Sequence, residues 1–174
     1  LLLAAVKATR ESDVRLPVDC HPLFTISEEV GSGASAALHK DVAEMLTIDN
    51  GTTAPGQNSS EFGTTICMAD MSGPFDYHLT HRIIQICQEF QLPHQRDIFK
   101  YYRSDSAAAL EAGNDVRTAL VTFGIDASHG YERIHQEALE SIAELVAIYM
   151  QSPPLYARDR YEMGPRAGFP TVPG

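Results

Sequence analysis

Basic charge is scarce in this sequence. Thirteen Lys and Arg stand against 23 Asp and Glu, a net charge of −10. Nucleic acid needs a basic face, and anionic lipid attracts one, so neither is an expected partner. Cysteine is scarce too. Cys20, Cys67 and Cys87 are too few and too scattered for a disulfide framework. Two of them lie in apolar runs, which reads as buried free thiols in a cytoplasmic, reducing setting. No apolar run approaches the roughly 20 residues of a membrane helix. Residues 1–6 are apolar but lack the basic flank and cleavage site of a signal peptide. An initiator Met is also missing, and residues 1–11 read as a helix already under way, so the chain is expected to be the later part of a longer protein. No internal repeat is visible.

What is present suits one domain with a real core: 174 residues, 44% of them apolar. Helices are expected at residues 1–12, 32–44, 75–90, 104–112 and 131–151. The one at 75–90 carries the stripe Leu79, Ile83, Ile86, Cys87 and Phe90. Strands are expected at residues 19–27, 45–49, 63–71, 97–102 and 116–125. Strands alternating with helices predict an α/β fold, a three-layer α/β/α arrangement around a mostly parallel, mixed sheet. Residues 1–151 form the domain. Residues 152–174, rich in Pro and Arg and without periodicity, read as an extended tail.

The most informative feature is Glu28-Glu29, set between the apolar run Phe24-Thr25-Ile26 and the small-residue stretch Val30-Gly31-Ser32-Gly33. Two adjacent carboxylates repel, and holding both ionised in a partly buried place calls for a proton or a cation between them. Other metal-type residues also fall at expected strand ends: Asp49 in Ile48-Asp49-Asn50-Gly51, Asp105 in Arg103-Ser104-Asp105-Ser106, and His129 in Ala127-Ser128-His129-Gly130. In a parallel sheet these ends share one edge, where open α/β folds place their sites. Carboxylates and imidazole are the donor set for Zn²⁺ and similar divalent ions. Each residue alone has a plainer reading: a solvated pair, an Asx turn at Asp49, a helix N-cap at Asp105, a loop histidine at His129. Four strand ends carrying such residues together favour a site.

The ordered set resembles the dinuclear-metal aminopeptidases, in particular the self-compartmentalising, tetrahedral group that includes glutamyl and deblocking aminopeptidases. Its parts are Glu-Glu-Val-Gly, Ile-Asp 20 residues after Glu29, Ser-Asp-Ser-Ala opening a helix, and Ser-His-Gly with His129 24 residues after Asp105. The likeness spans residues 1–151. Within it, residues 101–112 and 116–135 are most similar to a bacterial subgroup associated with osmoprotectants. The resemblance implies two divalent metal ions, Zn²⁺ or else Co²⁺ or Mn²⁺, acting on short peptides in a homo-oligomer. It implies Glu28 as the general base, taking a proton from a water between the ions and passing it to the leaving amine. Glu29 and His129 would share one metal and Asp49 would bind the other. Asp105 would stand behind the site, with Ser104 and Arg103 as nearby substrate-side or supporting residues. Two ions about 3.5–4 Å apart suit peptide hydrolysis because they acidify a shared water and polarise the carbonyl.

The chain also departs from that pattern. The family's upstream histidine and bridging aspartate have no counterpart before Glu28, and its inserted dimerisation domain is missing. The chain is therefore expected to bind metal weakly by itself and to be inactive. Two other functions compete: an amidohydrolase or deacylase acting on small N-acylated compounds, and a catalytically inactive assembly or binding domain. Arg96, Lys100 and Arg103 read either as an acidic-substrate wall or as ordinary surface charge.

Overall fold

The computed structural model describes residues 1–157. The proposed tail at 152–174 therefore lies largely outside the described residues. The elements, in chain order, are α1 (Leu2–Glu11), β1 (Glu44–Thr52), β2 (Thr64–Asp70), β3 (Gly73–Pro74), α2 (Tyr77–Glu89), β4 (His94–Ile98), α3 (Asp105–Glu111), β5 (Arg117–Asp126), β6 (Arg133–Ile134) and α4 (Gln136–Gln151). A short 3₁₀ turn, Glu28–Val30, precedes β1.

One six-stranded sheet joins all the strands in the order β1-β5-β2-β3, with β4 on β2 and β6 on β5. β1 runs parallel to β5, with Asp49 opposite Thr122. β2 runs antiparallel to β5 and parallel to β4. The sheet is mixed, as its sequence suggested.

Period-2 alternation sends the side chains of each strand to two different layers. One face carries Ile66, Val121 and Ala119 against Leu79, Ile83, Ile86, Ile142 and Leu145 of α2 and α4, with Ala5 of α1 closing the same core. The other face carries Cys67 and Leu120 against Phe75 and Phe99. α3 is tied to β1 on this second face by the 2.6 Å hydrogen bond between the Thr47 and Ser106 hydroxyls. Burial pushes the Cys67 and Cys87 thiols up to about 12, so both stay protonated; all three cysteines are free. Among the described residues no helix is long and apolar enough to cross a membrane.

Four sequence expectations need correction. Residues 19–27 form no strand. A strand needs a ladder partner for its N–H and C=O groups, and this stretch has none among the described residues. Its apolar side chains consequently stand in solvent: Phe24 is 63% exposed and Ile26 fully so. Glu28 and Glu29 thus sit in a 3₁₀ turn and do not close a strand. Residues 32–43 form turns in place of the helix expected at 32–44, and Glu44 opens β1. Gly31 takes a left-handed φ of 80°, the Ser35 hydroxyl turns back to the Ser32 carbonyl, and the Ala34 N–H is claimed by a distant carboxylate. Local side-chain bonds of this kind compete with helix formation.

β4 spans His94–Ile98, earlier than the expected 97–102, and the chain then turns at Phe99, whose N–H reaches the Ala69 carbonyl at 3.0 Å. Polar Gln95 and Asp97 lie on its inward face because β2 and the 57–59 loop supply their partners. Gln95 donates to the Thr65 hydroxyl, and one Asp97 oxygen accepts from Gln57 Nε2 and the Asn58 and Ser59 N–H groups. α4 begins at Gln136, not 131. Residues before it pair with β5, and the His135 ring caps the helix by accepting from the Glu137 N–H.

Ile83 is fully buried in the larger core, while Leu3 is 69% exposed. Ile83→Ala is expected to cost about 2–5 kcal/mol in urea unfolding, and Leu3→Ala under about 0.5 kcal/mol.

Candidate metal and general-base site

The site forms where β1 and β5 run side by side. β1 holds Asp49 on the face that α3 covers, one turn of the pleat beyond Thr47. β5 ends at Asp126, and the chain then turns sharply. Ala127 and His129 both take left-handed φ values, 57° and 60°. That conformation is costly for residues other than Gly and gathers at functional positions. The Gly130 N–H closes the turn on the Ala127 carbonyl, the His129 N–H donates to Glu132, and the Ser128 hydroxyl reaches Asn50 at 3.4 Å. The His129 ring is thereby carried back over the end of β1.

From the other side comes the Glu28–Val30 turn. The Gly31 N–H donates to the Glu28 carbonyl at 2.8 Å and the Ser32 N–H to the Ser27 carbonyl at 3.1 Å. Successive residues in a 3₁₀ turn diverge by about a third of a circle rather than the half circle of a strand. Glu28 and Glu29 can therefore serve one neighbourhood. Glu29 Oε2 lies 3.2 Å from His129 Nε2. Glu28 is half-buried beside it.

The charges of the group act on one another. Burial raises the Glu28 carboxyl above its usual range, and Asp49, Glu29 and Asp105 raise it further, opposed by His129. Burial likewise pushes Asp49 up to about 6. The Asn50 N–H, 2.7 Å from Asp49 Oδ1, works against the shift, as does His129, while Glu29 and Asp105 add to it. Glu29, Asp105 and His129 thus all lie within electrostatic reach of Glu28 and Asp49.

The remaining candidates occupy different places. Asp105 opens α3 and is buried; its Oδ1 accepts from the Ala34 N–H at 2.6 Å. Ser104 is the N-cap residue but spends its side chain elsewhere. Both its N–H and its hydroxyl donate to Asp70 Oδ2, at 3.1 and 3.3 Å. Arg103 pairs with Glu111 on the outside of α3. The structure thus brings Glu28, Glu29, Asp49 and His129 together with Asp105 behind them, while Ser104 and Arg103 engage Asp70 and Glu111 instead. Arg96 and Lys100 line a separate open groove of about 530 Å³ with Gln57, Asn58 and Tyr101. It lies at β4, three strand spacings, about 14 Å, from β1.

Sequence reasoning missed Asp70, the buried seat of Ser104. Its one signal was Asp70-Met71-Ser72-Gly73, an Asx-turn pattern that Asp70 indeed satisfies by accepting from the Ser72 N–H. The role of Gly33 was missed as well: a Cβ there would overlap the Asp105 carboxylate.

Among the described residues, no three His, Cys, Asp or Glu side chains are placed together to hold a metal ion. The donors fit such an ion in kind, as oxygen and imidazole nitrogen around carboxylates whose mutual repulsion a cation would relieve. In number they supply part of a set.

Asp49 binds its proton more tightly in the folded state than in the unfolded chain. This contribution is fully present below about pH 4 and is lost as pH rises through about 6. Asn at this position keeps an oxygen for the Asn50 N–H without the charge. Asp49→Asn is therefore expected to stabilise the chain without metal at pH 7 by about 2–3 kcal/mol. It should also flatten the pH dependence of urea midpoints between pH 4 and 7.

With this geometry in place, comparison with known proteins is informative. The family described as M42 glutamyl aminopeptidase matches residues 1–145. The Bacillus subtilis (strain 168) protein named "Putative aminopeptidase YhfE" is 36% identical over 153 residues, covering 88% of this chain and 44% of the relative. The TET aminopeptidase of the marine sediment archaeon Thaumarchaeota archaeon SCGC AB-539-E09 shares the fold with a TM-score of 0.70 at 17% identity, over 91% of this chain and 47% of that one. The Pyrococcus horikoshii TET1 peptidase, described as assembling into a tetrahedron or a large octahedral shell, has a TM-score of 0.65 at 22% identity, over 73% of this chain and 39% of that one. The chain spans about half the length of the relatives it matches. A match over most of its length places this chain in the M42 glutamyl aminopeptidase family.

Proposed function

We propose that this chain carries the general base and part of the metal-binding set of a metal-dependent aminopeptidase acting on short peptides. The observation that carries the reading is the 3.2 Å approach of Glu29 and His129, contributed by turns 100 residues apart in sequence, beside Glu28 and Asp49. Glu29 and His129 would hold one divalent ion, Zn²⁺ before Co²⁺ or Mn²⁺, and Asp49 a second. Bound ions of this type supply Lewis acidity to the scissile carbonyl and to water.

Glu28 takes no part in the Glu29–His129 contact and keeps its carboxylate for proton transfer. Burial and three neighbouring carboxylates hold its pKa above the ordinary range, toward the neutral pH at which a general base works best. Glu28 accepts a proton from the attacking water and returns it to the departing amine. Asp105 stays behind the site, within electrostatic reach of Glu28 and Asp49. The remaining ligands would come from polypeptide outside this chain, consistent with a span of about half the relatives' length. The whole protein is a cytoplasmic homo-oligomer in this reading, by analogy with the assembled TET1 peptidase.

Two measurements test it. Calorimetric titration of the chain with Zn²⁺ should give weak binding, and tight two-site binding would overturn the partial-set reading. In the full-length enzyme, Glu28→Gln should lower kcat on an unblocked dipeptide by about 10²–10⁴-fold with the metal content unchanged. Faster turnover of N-acylated than of unblocked dipeptides would point to a deacylase instead, and no turnover of either to an assembly domain.

A further inference from the structure

The Glu28–Glu29 turn has no strand or helix to support it. Residues 19–27 make no ladder, and residues 32–43 form turns and irregular backbone. Yet Ala34, four residues beyond Val30, is fully buried. The contact responsible is long in sequence and short in space. Asp105 Oδ1 accepts from the Ala34 N–H at 2.6 Å across 71 residues. Gly33 lies flush against the same carboxylate, where a Cβ has no room. Hydrogen bonds with a charged acceptor are roughly twice as strong as neutral ones.

Asp105 is itself rigidly seated. It opens α3, which Ser106 ties to Thr47 of β1, two residues from Asp49. The residue before it, Ser104, gives both its N–H and its hydroxyl to the buried Asp70 at the end of β2. The Ala107 N–H returns to the Ser104 carbonyl at 3.0 Å. A continuous set of bonds therefore runs from β2 through Ser104 and Asp105 to the Gly33–Ala34 peptide, and from there along three residues to the turn.

We infer that Asp105 is a positioning residue: by gripping the Gly33–Ala34 peptide it sets the place of the Glu28–Glu29 turn relative to Asp49 and His129, and Gly33 is the residue that lets it approach. Its importance for catalysis rests on the general-base reading above, but the grip itself does not. A carboxylate engaged with a backbone N–H on its inner side is a brace, and the side chain acts through Glu28 and Glu29 without needing to touch substrate or metal.

Amide hydrogen exchange on the intact chain, read residue by residue with β5 amides as the internal reference, tests the inference. Asp105→Ala should speed exchange at Ala34 and in residues 28–32 by about tenfold or more, with β5 unchanged. Asp105→Asn keeps an acceptor oxygen and should stay near the parent. Gly33→Ala should loosen the same residues, and its effect should shrink in the Gly33→Ala/Asp105→Ala double variant, where the truncated side chain leaves room for the methyl group. Unchanged exchange at 28–34 in Asp105→Ala overturns the inference. If Asp105→Ala also loosens β5, the double variant decides: a smaller Gly33 effect upholds the brace, and additive effects overturn it. Failure of the general-base reading shows elsewhere, as Glu28→Gln retaining full hydrolysis while this exchange pattern persists.

Discussion

Everything at the site depends on the parallel pairing of β1 with β5. Nine residues of β1, from Glu44 to Thr52, lie in register with β5 from Arg117 to Ile125. That ladder fixes Asp49 opposite Thr122 and delivers the chain into the His129 turn a few residues later. It also leaves little freedom to slip, because a shift of one residue would exchange the two faces of the strand. Ile48 would leave the apolar layer it packs against, and Asp49 would enter it. The apolar core on one face therefore enforces the position of a charged residue on the other.

The second constraint is electrostatic. Desolvation and neighbouring carboxylates place Glu28 and Asp49 where their ionised forms are disfavoured. At neutral pH a protein gains nothing in stability from such an arrangement. Sites that tolerate this cost are where chemistry on protons or cations is performed, and membership of a glutamyl aminopeptidase family agrees with that use.

Much of this was legible in the sequence. The Ile83-type stripe pointed to α2 and the β-branched run at residues 116–125 to β5, while expected strand ends drew attention to Glu28, Glu29, Asp49, Asp105 and His129 and a family resemblance assigned them roles. The misreadings have physical causes. The apolar run before Glu28 has strand composition, but a strand is made by its neighbour and not by its own residues, and here it lacks one among the described residues. Ala34, Ala36, Ala37 and Leu38 carry high helix propensity. The grip on the Ala34 N–H and the turns around it outweigh that preference, which is worth less than about 1 kcal/mol per residue. Asp105 could be read as a helix cap because composition cannot distinguish a carboxylate turned to its own helix from one turned 71 residues away. Asp70 carried only an Asx-turn signal, because its partner Ser104 is distant in sequence.

The bare flank of β1 has a consequence of another kind. Among the described residues β1 stands at the end of the strand order with β5 as its ladder partner, and Phe24, Ile26 and Val30, in the stretch around the Glu28–Glu29 turn, are exposed to water. A strand edge without a partner and exposed apolar side chains are features that further polypeptide covers in an assembled protein. Ten excess negative charges oppose contact between copies through mutual repulsion, whose reach contracts to about 8 Å at physiological salt. For the chain by itself, added salt weakens the repulsion that holds such surfaces apart.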